Sequence, residues 1–214
     1  MGGGQTGRLV FDAGCLGAKV SGPNSVLIAL GANLGDRGDT VVRALDQLAA
    51  FAVGPVRRSS LWLSEPVDCP PGSPAFVNAA AVLTPRPGET PETLLDKLQA
   101  LEREYGRRPK RVLNEPRPLD LDLIAFGQET RGTEGLRLPH PQAHRRRFVL
   151  QPLAEIAPDF ILPGQGRTIA ELLADLPQSG DVTRLPSTDF ARGPGADRPA
   201  AGAASVKGGL TPCA

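Results

Sequence analysis

The chain has 214 residues, with 24 Lys and Arg against 23 Asp and Glu for a net charge of +1, enough for one domain with a real core plus flanking segments. A charge this close to zero excludes a general electrostatic binder of nucleic acid or membrane surfaces, so any basic site must be local. No stretch is long and apolar enough to span a membrane. Cys15, Cys69 and Cys213 are odd in number, far apart and in no metal or redox spacing, which makes the cytoplasm the expected compartment.

Residues 1–24 mix Gly with scattered polar residues and carry no period, the pattern of a flexible leader. Val26 to Leu30 is an apolar run closed by Gly31 and predicts a buried strand. A turn over 32–36 follows, then a helix from Thr40 to Phe51 with Val41, Leu45, Leu48 and Ala49 on one face. Val56 to Leu63 predicts a second strand, irregular at Arg57-Arg58. The Pro- and Gly-dense segment Glu65 to Pro74 predicts a functional loop, and Phe76 to Leu83 a third strand. Thr90-Pro91-Glu92 combines a capping hydroxyl, Pro at the first helical position and an early acid. It opens a helix whose buried stripe is Leu94, Leu95, Leu98 and Leu101, with Gly106 as its stop.

A basic loop from Arg107 to Arg111 leads into a strand over Leu119 to Phe126. A short strand around Leu136 to Leu138, a short helix over Ala143 to Leu150, and a last helix capped by Thr168 and Glu171 complete the pattern. Residues 178–214, rich in Gly, Pro, Ala and Ser, predict a mostly disordered tail, leaving 25–177 as the folded domain. Strand, helix, strand, strand, helix, strand is the split βαβ order: an α+β, ferredoxin-like antiparallel sheet with helices packed on it, in a single domain.

The stretch Arg117-Pro118-Leu119-Asp120-Leu121-Asp122 concentrates the chemistry. Period 2 puts Asp120 and Asp122 on one face of their strand, roughly 6.5–7 Å apart at the side-chain origins. Two ionised carboxylates at that separation repel by about 2 kcal/mol at an effective dielectric of 20. A shared proton, a nearby arginine or a metal ion would offset the repulsion, and hard oxygen ligands without His or Cys favour Mg²⁺. The competing reading is an edge strand with an acidic solvent face. No phosphate-cradling glycine loop occurs, so phosphate handling would fall to cations: Arg107, Arg108, Lys110, Arg111, Arg117 and the run Arg145-Arg146-Arg147. Asn78, inside an apolar strand, needs partners that either a neighbouring backbone or a planar heterocycle would supply. His140 between two prolines either donates to a phosphate or caps a helix.

Several motifs then coincide in order: Ala29-Leu30-Gly31-Ala32-Asn33-Leu34-Gly35-Asp36, Phe76-Val77-Asn78-Ala79-Ala80, Glu102 to Gly106, Pro116 to Leu123, and Leu138-Pro139-His140. Together they resemble 6-hydroxymethyl-7,8-dihydropterin pyrophosphokinase of the folate pathway over about Val26 to Leu176. The resemblance implies a monomeric enzyme that moves pyrophosphate from ATP to the pterin hydroxymethyl group and releases AMP. It further implies that Asp120 and Asp122 hold two Mg²⁺ ions and that Arg107 and Arg117 brace the phosphates. Glu102, His140 and Arg146 match nucleotide-side positions, and Asn33, Phe76, Asn78 and Phe148 match pterin-side positions. The partners expected are these two small molecules, with no nucleic acid and no membrane.

The chain departs from the family at three places: Asn114-Glu115 stands for a common Trp-Gly, Pro109 for an arginine, and Pro141 for a common tyrosine. A pyrophosphokinase with an altered loop seal that has lost turnover is therefore one alternative. A non-catalytic ferredoxin-like module, for example for RNA, is another, although the aromatic pair and basic sheet face that base stacking needs are missing.

Overall fold

The computed structural model describes residues 24–108, 115–177 and 182–186. Its central strand, β1 (Val26–Ala32), is buried at all seven positions and pairs antiparallel with β4 (Phe76–Leu83) on one side and β5 (Asp120–Phe126) on the other. With β3 (Trp62–Ser64) beside β4 and β8 (Val182–Arg184) outermost, the order is β5-β1-β4-β3-β8, and β2 (Arg57–Arg58) also pairs with β4. The hairpin of β6 (Arg131–Gly132) and β7 (Arg137–Leu138) stands apart.

Because the strand period is 2, β1 feeds two cores at once. Val26, Ile28 and Leu30 pack with Leu121 and Leu123 against α1 (Arg37–Gln47) and α2 (Pro91–Glu104). Leu27 and Ala29 pack with Ala80, Val82 and Ile124 against α3 (Arg147–Ile156) and α4 (Ile169–Asp175). The result is the expected antiparallel sheet with helices on it, in three layers. A register shift in β5 opposite Leu27 and Ile28 lets the apolar end of that strand depart from simple alternation.

Several boundaries differ from expectation, each for a local reason. β1 runs on through Gly31 to Ala32, because both neighbouring strands continue the ladder there. α1 begins at Arg37 rather than Thr40, since the Asp36 side chain accepts the Asp39 N–H and caps it, and the segment after Gln47 tightens into a 3-10 turn over Leu48–Phe51. The single strand expected over 56–63 divides in two. Arg58 faces Ala81 and Trp62 faces Asn78, so the chain spends one extra residue in a bulge, and the Ser59 hydroxyl takes up the Ala80 N–H at 2.8 Å.

The helix expected at 143–150 is a 3-10 turn at Ala143–Arg145 followed by α3, which continues through Pro152 because Leu153 and Ile156 extend its buried stripe. Both predicted helix caps form: Thr90 and Thr168 each accept the backbone N–H three residues on. Within the expected tail, Val182–Arg184 forms β8, a strand that composition alone concealed. Residues 178–181 and 187–214 of that segment, and the leader apart from Asn24, lie outside the described residues.

Candidate active site

One row across the sheet sets the site. Gly31 of β1 stands opposite Asn78 of β4 and opposite Asp120 of β5, while Ala29 stands opposite Ala80 and Asp122. The period of 2 turns Phe76, Asn78, Asp120 and Asp122 to the α3 side of the sheet. α3 covers the Ala80 and Val82 end of that face. The Gly31 end is left as the floor of a cleft of ≈ 630 Å³, its open mouth included. Phe148 and Arg146 at the start of α3 form one wall, and Ser64, Val67 and Cys69 from β3 and the following loop form another. A Cβ on Gly31 would lie 3.4 Å from Asn78 Oδ1 and 3.7 Å from Phe76 Cδ1, so a larger side chain would occupy the floor.

The two carboxylates sit in different electrostatic surroundings. Asp120 is paired with Arg107 Nη1 at 2.5 Å and with Arg117 Nε at 3.2 Å. Arg107 is shared with Glu102, and burial, which works against its charge, is outweighed by Asp120 and Glu102 so that its pKa rises. Glu102 itself is buried and also accepts the Leu121 N–H at 2.7 Å. Burial raises its pKa against the opposition of that hydrogen bond and of Arg107. Asp122 has no ion pair among the described residues. Burial in the cleft, reinforced by the negative charge of Asp120 and only partly opposed by Arg117, raises its pKa from 3.8 to about 7.

These features suit a divalent cation. The donors are hard oxygens, and Asp122 lacks the positive charge that would let it ionise freely. No group of three His, Cys, Asp or Glu side chains exists among the described residues, so the remaining coordination would come from water or a ligand's phosphates, the usual arrangement for Mg²⁺. The buried Arg117 Nε, although near Asp120, has no aligned hydrogen-bond acceptor, which leaves a donor for an anionic oxygen.

On the opposite side of the floor, Asn78 is 4 % exposed and donates through Nδ2 to Ser64 Oγ at 2.8 Å and to Trp62 O at 3.4 Å. Its Oδ1 accepts from no described residue and lies beside Gly31. One end of the amide is thus satisfied within the protein, by a backbone carbonyl and a serine hydroxyl, and the other faces the cleft. Phe76 and Phe148 line the same cleft, with the Arg117 guanidinium 5.9 Å from the Phe76 ring centre and that of Arg146 5.6 Å from Phe148.

Of the expected site residues, Asn33, Glu102, Arg107 and His140 do not line the cleft, and Glu102 and Arg107 join it through Asp120. Asn33 is buried and clamps backbone: Oδ1 accepts the Arg117 N–H at 2.8 Å, Nδ2 donates to Pro74 O at 3.3 Å, and its own N–H donates to Arg117 O at 3.3 Å. It ties the loop bearing Arg117 to the loop before Phe76 and does not line the cleft wall. His140 is fixed by its N–H donating to Ile124 O at 2.8 Å, and burial together with the Arg146 charge lowers its pKa. Ser64, which orients Asn78, and Gly31 were not expected as site residues. A polar side chain closing an apolar strand was the available signal for the first. Lys110, Arg111, Pro109 and Asn114 lie outside the described residues.

A family model described as 7,8-dihydro-6-hydroxymethylpterin-pyrophosphokinase matches residues 27–158, the segment that contains every cleft residue named above. The chain belongs to this family. A 2-amino-4-hydroxy-6-hydroxymethyldihydropteridine pyrophosphokinase of Pseudomonas aeruginosa is 42% identical over 165 residues, covering 75% of this chain and 96% of that protein. One from Synechocystis is 39% identical, covering 70% and 75%. Among solved structures, a Plasmodium falciparum HPPK-DHPS aligns with a TM-score of 0.56 at 12% identity, covering 77% of this chain and 46% of that one. The chain spans less than half of that structure, and the likeness shows the pyrophosphokinase family's ferredoxin-like fold.

The raised pKa of Asp122 has a measurable consequence. The unfolded chain releases this proton near 3.8 and the folded, metal-free protein holds it to about 7. Between those values the folded state binds more protons, so stability is fully present below 3.8 and falls as pH rises toward 7. Asp122→Asn is expected to flatten that fall, measured by urea midpoints across the interval in the presence of a chelator.

Proposed function

We infer that this cleft is where the family's reaction takes place: transfer of pyrophosphate from ATP to 6-hydroxymethyl-7,8-dihydropterin in folate biosynthesis, with release of AMP. The observation that carries the assignment is the shared floor, which sets two same-face carboxylates flanked by arginines beside an open amide flanked by phenylalanines. Asn78 and Asp120 are two strand spacings apart, about 10 Å, the span of a bicyclic ring with one short substituent.

Each group then has a task. The Asn78 Oδ1 accepts hydrogen bonds from the N–H edge of the pterin, its amide plane held by Ser64. Phe76 and Phe148 pack on the ring faces and exclude water. The hydroxymethyl oxygen points toward the Asp120 and Asp122 end of the row. Arg107 and Arg117 balance the phosphate charge as it shifts toward the departing AMP, and the spare Arg117 Nε–H is placed to donate to a phosphate oxygen. Glu102 holds Arg107 in place, while Arg146 and His140 lie on the nucleotide side. Asn33 acts through the backbone it clamps. Asp120 and Asp122 would hold Mg²⁺, two ions by expectation, which would supply positive charge against that developing on the phosphates. The free thiol of Cys69, the one cysteine among the described residues, fits the reducing cytoplasm.

Incubation with ATP, Mg²⁺ and the hydroxymethyl dihydropterin is expected to yield AMP, and formation of ADP or of no product would overturn the assignment. Asp120→Ala and Asp122→Ala are each expected to lower turnover by about a thousandfold or more with the unfolding transition retained. Arg117→Ala should reduce kcat more than it raises KM, because its contribution grows as charge moves. Gly31→Leu fills the floor and should abolish pterin binding in calorimetry while far-UV circular dichroism stays unchanged.

A further inference from the structure

β8 lies beyond the residues matched by the family model, and none of its side chains lines the cleft. It nevertheless forms a ladder on β3, pairing Val182 with Ser64, Thr183 with Leu63 and Arg184 with Trp62. The Leu185 N–H extends it by donating to Leu61 O at 2.9 Å. Without β8, the three residues of β3 would be an edge strand held by β4 alone, and so short an edge is readily displaced.

A polar cluster fastens the same three elements together. Glu155 of α3 accepts from Ser60 Oγ at 2.6 Å, from Ser60 N–H at 2.9 Å and from Trp62 Nε1 at 3.3 Å. Arg184 of β8 donates to Ser60 Oγ through Nε at 2.9 Å and reaches Glu155 Oε1 at 3.2 Å. Burial works against ionised Glu155, but the Ser60 and Trp62 hydrogen bonds and the Arg184 charge prevail and lower its pKa. The Arg184 side chain is 60% exposed, so its ion pair adds little to global stability. What the cluster does fix is relative position. β3 ends at Ser64, whose hydroxyl holds Asn78 Nδ2 at 2.8 Å, and α3 begins beside Arg146 and Phe148 on the other wall.

We propose that β8 and its Arg184 are positioning elements for pterin recognition: they fix β3 against α3, and through the Ser64 hydroxyl they fix the plane of the Asn78 amide. This deepens the reading of the cleft as a pterin site and rests on it. Arg184 touches no substrate. Its influence passes through Ser60 and Trp62 to Ser64 on the pterin side of the row, and its own hydrogen bonds and ion pair go to Ser60 and Glu155, not to Arg107, Arg117 or the carboxylates that handle ATP.

The test uses the full chain with Arg184→Ala, Arg184→Lys and Leu185→Pro, the last removing the N–H that bonds Leu61 O. Pterin KM, ATP KM, kcat and unfolding midpoint are measured for each, and Trp62, the sole tryptophan, reports on the cluster by its emission. Arg184→Ala is expected to raise pterin KM by about three- to tenfold, as small displacements of an orienting group do, with ATP KM and the unfolding midpoint unchanged. Arg184→Lys should restore most of the loss, and Leu185→Pro should raise pterin KM further and shift the Trp62 emission. Unchanged pterin KM in Leu185→Pro overturns the proposal. So does a parallel rise of both KM values with a lowered midpoint in Arg184→Ala, which would mark a merely structural role. Wild-type protein that forms no AMP refutes the pyrophosphokinase reading instead, and equilibrium binding of the pterin to wild type and variants then decides the role of β8: equal binding, or none to wild type, overturns it.

Discussion

A single residue without a side chain, Gly31, is the constraint on which the rest of the site depends. It lies in the one strand that is hydrogen-bonded on both edges by long partners, so its two neighbours across the sheet, Asn78 and Asp120, are held in one row. Ladder hydrogen bonds make this spacing rigid, and burial of β1 on both faces locks its register, since a one-residue slip would exchange the two cores. The opening above Gly31 exists because α3 starts only at Arg147 and covers the far end of the same face. A floor without a Cβ, two polar groups about 10 Å apart and a helix that stops short together shape the cleft.

Charge is distributed across that slot unequally. Asp120 is committed to Arg107 and Arg117, whereas Asp122 is left to burial and to the field of its neighbour. The difference arises from position along β5: Asp120 lies at the strand's start, within reach of both loop arginines, and Asp122 one step deeper. Glu102 secures the arrangement from the other side. As β5 is an edge strand, its outward Leu121 N–H has no strand partner, and the Glu102 carboxylate takes it while also holding Arg107. One buried acid thereby closes a sheet edge and aims a cation.

Much of this was legible in the chain. Alternation around Asp120 and Asp122 gave their common face, the run of apolar residues around Asn78 marked it as a buried amide in need of partners, and Thr90 and Thr168 announced their helices by local hydrogen bonding alone. Where expectation missed, the cause was long-range. The clamp that Asn33 makes, on Arg117 and Pro74 far away in sequence, was invisible, since the family resemblance marked the residue only as a pterin-side position. The break between β2 and β3 depends on the count of residues opposite in β4, and β8 depends on an open edge at β3. Neither leaves a periodic trace in its own segment.

By itself, then, the sequence determined the order of strands and helices, their caps, the residues that face one another along a single strand, and through its ordered motifs the family to which the chain belongs. Those properties follow from period, propensity and local hydrogen bonds, which act within a few residues. Only the tertiary structure decided which strand lies beside which, that Gly31 separates Asn78 from Asp120, that Asn33 clamps two loops, and that Arg184 braces β3. Such matters turn on contacts between segments tens of residues apart, where register and the direction of each side chain come from packing against partners the local sequence does not contain.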